Sequence, residues 1–281
     1  MPLRTILLAT DGSAGAQAAA RQVAELPLES DALVTLLCVQ EDPEHDPSRV
    51  LAETAELFRY STAALKRDTE TGHPAETILR VADELHPDLL VLGASGRSGI
   101  ARFFLGSVSE RVARHAQCPV LVARGGDGPI GRVIVGIDES ETADRLVPWL
   151  ADLPLPAESE LRLVTLIPNL HAMAAERMSV APPLSEAPEA MSDWMRDRAQ
   201  ERLSALAAGM RARGRRAATE IRSGDPARGL MTIASDESAG LLVIGAGAEG
   251  ALERFLLGSV SERVVRHAPC SVLVFRPAVG R

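Results

Sequence analysis

The chain has 281 residues, 46% of them apolar, with a net charge of −8 and a sequence pI of about 5.4. That length suits two domains of about 100–150 residues, each with its own core. The acidic balance argues against general nucleic-acid binding, and no apolar run approaches the ~20 residues that span a bilayer.

In chain order, strand-like and helix-like patterns alternate. Thr5–Ala9 is a short apolar run, read as a first strand because it is too short for a signal peptide. Ala14–Leu26 has helical composition and stops at Pro27, and Ala32–Val39 is a second strand. Arg49–Arg67 shows helical spacing at Val50, Leu51, Leu57, Phe58 and Leu65, which puts Lys66, the only lysine, in a solvated helix. A weak strand follows at Asp68–Thr71, and Pro74–Leu85 suits a helix with proline in its first turn. Leu89–Leu92 is the fourth strand, Ser107–His115 a helix and Val120–Ala123 the fifth strand. Such alternation, with continuous apolar strands, predicts an α/β fold: a doubly wound parallel five-stranded sheet covered on both faces. In these sheets ligands sit beyond the carboxyl ends of the strands, near the switch in strand order.

The whole pattern then occurs again. Arg102–Arg124 and Arg254–Arg276 differ at only five of 23 positions: 104/256, 113/265, 117/269, 119/271 and 123/275. Leu7–Ser13 matches Ile134–Ser140, 127 positions on, whereas Gly72–Pro74 matches Gly224–Pro226, 152 positions on. The second copy therefore carries a 25-residue insertion between about Ile167 and Gln200. The expected organisation is a tandem repeat: a first domain at 1–124, a glycine-rich linker at 125–131, and a second domain at 132–281 with its insertion at about 168–198. Five of the seven methionines lie between Met173 and Met210. This region reads either as a surface loop leading into a long helix, Met191–Arg213, or as an adaptable methionine-rich cover over a site or partner surface. Cys38, Cys118 and Cys270 are far apart and odd in number, with no zinc-like cysteine–histidine spacing. They are expected to be buried thiols of a protein in the reducing cytoplasm.

Two clusters could carry chemistry. After the fourth strand, Gly93-Ala-Ser-Gly96 is followed nine residues later by Gly106-Ser107, with Arg97 and Arg102 between them. Glycines let backbone N–H groups approach a phosphate, and a helix start attracts anions. Ser107-Val-Ser-Glu110 also reads as a capping box, with Ser107 as the cap. The first strand ends in Thr10-Asp11, where a carboxylate could accept from a ribose hydroxyl or base, help bind a metal, or fasten the next turn. His115 and His267 sit at helix ends, where an imidazole can cap carbonyls. Glu110, Arg111, Glu262 and Arg263 read as solvated or interdomain charges.

With these residues the chain resembles a tandem universal stress protein. Gly93, Gly96, Gly106 and Ser107 match G-x2-G-x9-G-[S/T], the pattern of that family's ATP-binding branch. The resemblance implies two Rossmann-like, adenine nucleotide alpha-hydrolase-like domains. It implies that Thr10, Asp11 and the backbone around Val39 face the adenosine, and that Gly93, Gly96, Arg97, Gly106, Ser107, Val108 and Ser109 hold the rest of the nucleotide. The counterparts in the second half are Asp138, Leu166, Gly245, Gly247, Gly258, Ser259, Val260 and Ser261. ATP is the expected ligand, with AMP or ADP as alternatives and Mg2+ or Mn2+ accompanying ATP. No metal site of direct protein ligands is expected. The resemblance also implies pairing of the two domains within the chain through their last strands, and allows a further homodimer.

The second copy departs from the pattern, because Ala248 replaces the second glycine and Glu249 stands where the first copy has Arg97. A left-handed backbone at that position would make alanine costly by ~1–2 kcal/mol. The expected function is a stress-response sensor or regulator with slow or no ATP hydrolysis, since no residue stands out as a positioned general base. The alternative is a nucleotide-independent interaction module acting through domain pairing or the insertion. An ATP-hydrolysing enzyme is the weaker third option, since neither an SGGxDS nor an HxGH loop occurs.

Overall fold

The computed structural model describes residues 3–41, 46–96, 105–125, 130–169, 187–247 and 257–277. The first half runs β1 (Thr5–Ala9), α1 (Ala14–Ala24), β2 (Leu33–Gln40), α2 (Pro47–Glu56), β3 (Ala64–Thr71), α3 (Pro74–Leu85), β4 (Leu89–Gly93), α4 (Ser107–His115) and β5 (Val120–Ala123). The second half follows with β6 (Arg132–Gly136), α5 (Glu141–Asp152), β7 (Glu160–Ile167), α6 (Ala187–Ala212), β8 (Arg216–Ser223), α7 (Pro226–Asp236), β9 (Leu241–Gly245), α8 (Ser259–His267) and β10 (Ser271–Phe275).

Within each half the strands are parallel, and β5 pairs antiparallel with β10, with Leu121 opposite Leu273. The result is one ten-stranded sheet in the order β3-β2-β1-β4-β5-β10-β9-β6-β7-β8. Both last strands are thus used against each other inside the chain. Every residue of β4, β5 and β10 is buried, because helices cover both faces and leave no side of these central strands for water. One core, with α1, α2, α5 and α6, and a second, with α3, α4, α7 and α8, each run through both halves. No helix among the described residues is long and apolar enough to cross a membrane.

One predicted helix is corrected. α2 stops at Glu56, and Ala64–Arg67 open the edge strand β3 rather than ending a helix. An edge strand pairs on one side only, here with β2, and most of β3 is exposed. It therefore lacks the apolar run or alternation that marks a buried strand. Lys66 consequently lies on this edge strand, paired with Asp68 at 2.9 Å.

The duplicated last segments hold the halves together by exchange. Arg276 Nη2 donates to the Arg114 carbonyl at the end of α4 at 2.8 Å, and Arg124 Nη2 donates to the Val265 and Arg266 carbonyls of α8. The helix-end carbonyls are thus served by arginines of the opposite half, and not, as expected, by His115 and His267. Arg114 pairs with Glu262 and Arg266 with Glu110 across the same seam. Two of the five repeat differences have a packing reason. Ser271, where the first copy has Pro119, bonds to Gln22 of α1 and to the Arg124 backbone. Phe275, where the first copy has Ala123, packs on Trp149 of α5 with ring centroids 5.2 Å apart. Cys38, Cys118 and Cys270 are free and buried.

Candidate functional site

In each half the strand order turns back between the first and fourth strands, so their carboxyl ends part and open a crevice. The first crevice, of about 780 Å³, is lined by Thr10, Asp11, Val39, Gly93, Gly96, Gly106, Ser107, Val108 and Ser109. Every described residue predicted for the first site therefore lies on one cleft; Arg97 lies outside the described residues. Ser13, Glu41, His73 and Ser95 line it too; the first three lie outside the glycine pattern, and Ser95 fills one of its unspecified positions.

The cleft floor is built by close backbone contact. A Cβ on Gly93 would sit 2.4 Å from the Gly15 carbonyl carbon of α1, so this glycine lets helix and strand touch. A Cβ on Gly96 would lie 2.9 Å from Asp11 Oδ2. Gly96 is absent from the positive-φ glycines, so proximity to Asp11, and not a left-handed backbone, makes glycine fit there. Asp11 Oδ1 accepts from the Ser13 amide at 3.0 Å, and Ser13 caps α1. Thr10 is buried, with its hydroxyl 3.2 Å from that of Thr54. Ser109 is also committed internally, its hydroxyl donating to the Gly93 carbonyl at 2.6 Å and tying the start of α4 to the end of β4.

The capping expectation at α4 is corrected. Gly106 is the N-cap, Ser107 is the first helical residue, and among the described residues no side chain caps the helix. Ser107 is exposed. The first turn of α4, Ser107–Ser109, lies on the cleft wall with no side-chain cap among the described residues, the arrangement that favours an anion.

The second crevice is smaller, about 330 Å³, and holds Asp138, Leu166, Gly245, Gly247, Ser259, Val260 and Ser261 on its wall. Gly258 is not on that wall; as the N-cap of α8 it packs against Gly247, whose carbonyl oxygen would be 2.7 Å from an added Cβ. Ser261 repeats the Ser109 link, donating to the Gly245 carbonyl at 2.8 Å. Three wall residues come from α6: Met195, Ala199 and Arg202. Arg202 takes the place of Val50 in the repeat, bonds to the Ser140 carbonyl at 2.9 Å and pairs with Asp144 at 3.0 Å. Leu166, longer than Val39, lies over Gly229, where an added Cβ would be 2.5 Å from its Cδ1. These side chains reduce the crevice. Only the excess of methionines hinted at such a cover. Ala248 and Glu249 lie outside the described residues, as do 170–186 of the insertion.

Among the described residues no group of three or more His, Cys, Asp or Glu could hold a metal ion. Burial pushes the Cys118 thiol up to about 12 and that of Cys270 up to about 11, which leaves both poor nucleophiles.

Two halves of identical strand order, each opening a crevice at its switch point, define a tandem doubly wound α/β protein. The universal stress protein family model matches residues 2–124 and again 129–276, and the chain belongs to that family. A universal stress protein of Mycobacterium tuberculosis is 30% identical over 245 residues, 83% of this chain and 78% of the relative. A putative universal stress protein of Staphylococcus aureus is 32% identical over 139 residues, 43% of this chain and 84% of its own length. The fold is shared with a universal stress protein from Archaeoglobus fulgidus, at TM-score 0.67 and 19% identity over 97% of this chain and 96% of the other. It is shared also with a putative one from Pseudomonas aeruginosa, at TM-score 0.70 and 18% identity over 98% and 94%.

Proposed function

We propose that the first half binds an adenine nucleotide, ATP foremost, and that the chain acts as a stress-response sensor or regulator with slow or no hydrolysis. One observation carries this: a cleft of about 780 Å³ at the switch point ends at a helix start that no side chain caps among the described residues. Its volume falls inside the range of small-molecule clefts, about 300–1,000 Å³, while the second crevice sits at the bottom of that range. The α4 amides and the Ser107 hydroxyl would take the phosphates, and Asp11 the ribose. Mg2+ or Mn2+ would be held by the phosphates themselves.

Equilibrium dialysis of the full chain against ATP, ADP, AMP and cyclic AMP tests this, with mass spectrometry of any ligand released on denaturation. ATP is expected to bind. Gly96→Asp, which sets a second carboxylate beside Asp11, and Ser107→Ala should weaken it more than Ala248→Asp or Ser259→Ala. No ATP bound at millimolar concentration would refute the proposal.

A second reading, an interaction module, is favoured by one observation. Met191 and Trp194 of α6 are each half-exposed, with Arg198 lying over the Trp194 ring. Met191→Ser together with Trp194→Ser separates the two: ATP binding by the double variant is unchanged under the first reading, and partner capture is lost under the second.

A further inference from the structure

We propose that Arg276, a residue of the second half, is the positioning residue for the anion-binding end of the first cleft. This rests on the nucleotide reading above and adds to it how that end of the site is held.

The helix that forms this end has few anchors. α4 has nine residues, of which Ser109, Val112 and Ala113 are buried. A helix so short is marginal by itself, so contacts outside it decide where its first turn lies. That turn, Ser107–Ser109, is on the cleft wall. At its start α4 is tied to β4 by the Ser109 hydroxyl, which donates to the Gly93 carbonyl at 2.6 Å. At its end, about 13 Å along the axis at 1.5 Å per residue, Arg276 Nη2 donates to the Arg114 carbonyl at 2.8 Å. A helix cannot serve its last carbonyls from its own amides, so an outside donor there fixes the end.

Arg276 is built to be a fixed point. It is 4% exposed. It follows Phe275, which pairs in register with Gly245 and packs on the Trp149 ring. Burial pushes its guanidinium down to about 10, so it stays charged at neutral pH. Its Nε and Nη1 meet no hydrogen-bond partner among the described residues. The other α4 cations differ, because Arg111 pairs with Glu76 and Arg114 with Glu262, and both pairs are partly exposed. Arg276 therefore brings a buried positive charge to the negative end of α4, where it stabilises the helix.

The repeat shows the same device with the halves exchanged. Arg124 of the first half donates to the Val265 and Arg266 carbonyls at the end of α8. The first turn of α8, Ser259–Ser261, lies on the second crevice. Each half thus supplies the support for the helix of the other, and the first half alone lacks one support of its own site.

Calorimetric titration of the full chain with ATP, joined to amide hydrogen exchange, tests this. Arg276→Gln is expected to weaken ATP about fivefold, because the first turn of α4 then holds its binding position only part of the time. Arg276→Lys, which keeps the charge and a donor, should stay within about twofold of the parent. Gln22→Ala opens the same seam at Ser271 without touching α4, and it too should stay within about twofold. Without ligand, exchange across 107–115 should quicken in Arg276→Gln, whereas Arg124→Gln should quicken 259–267 instead. In the parent, ATP should slow exchange at 112–116 as well as at the first turn, which decides the question even where a variant folds poorly. Unchanged ATP affinity in Arg276→Gln, an equal loss in Gln22→Ala, or protection in the parent confined to 107–109 overturns the inference and leaves the nucleotide reading standing. A parent protein that binds no ATP overturns both.

Discussion

Alanine at Gly93 and at its repeat counterpart Gly245 is the same change at equivalent places, yet the surroundings differ. At Gly93 the new Cβ would meet three backbone atoms of α1: the Gly15 carbonyl carbon at 2.4 Å, its oxygen at 2.6 Å and the Ala16 amide nitrogen at 2.7 Å. Backbone within a helix cannot turn aside, so α1 must move off β4. Overpacking of this kind costs about 3 kcal/mol, the upper part of its usual range. At Gly245 the nearest atom is a methyl, Thr142 Cγ2 at 3.0 Å, which can rotate for about 0.5–1 kcal/mol. A cooperative unit of 281 residues has a melting entropy of roughly 0.6 kcal/mol/K, so the expected shifts are about 5 °C for Gly93→Ala and 1–2 °C for Gly245→Ala. Differential scanning calorimetry of both variants measures them. Equal shifts, or a Gly93 variant within 1 °C of the parent, would refute the close-contact account of this glycine.

Two further outcomes follow from ionisation. Cys118 and Cys270 should resist iodoacetamide at pH 8 in the folded protein and react fully in urea; rapid labelling of the native chain would contradict their burial. Because their folded values are raised above the ordinary 9.0, the thiols favour the fold fully only below that pH. Their contribution fades as pH climbs toward 11–12, which urea midpoints between pH 8 and 11 would detect. Asp225 behaves oppositely: its hydrogen bond from Arg263, then that from the Arg228 amide, lowers its folded value below 3.8. Its contribution is present above that pH and is lost as pH falls through the folded value. Asp225→Ala should therefore cost about 0.5–2 kcal/mol at neutral pH and flatten the acid limb of the stability curve; an unchanged limb would show that the carboxylate is not held as described.

The sequence by itself determined the duplication, the α/β class and most element positions. Thr5–Ala9, Pro74–Leu85, Ser107–His115 and Val120–Ala123 have the predicted bounds, because helix and strand periods are local and survive in a short window. It also brought Asp11, Val39 and the glycine cluster to one place, since the end of a strand and the turn after it are legible from chain order alone. Only the tertiary structure decided the rest. The first half of the edge strand β3, Ala64–Arg67, escaped because exposure on an edge erases the apolar signal. The Ser109 hydroxyl is held by the Gly93 carbonyl sixteen positions away. The crossed arginines span 141 positions and more, and the Gln22–Ser271 bond spans 249. Arg202 closes on Ser140 from 62 positions along the chain. Such contacts depend on which surfaces meet once the sheet is assembled, and no local pattern of residue types records that meeting.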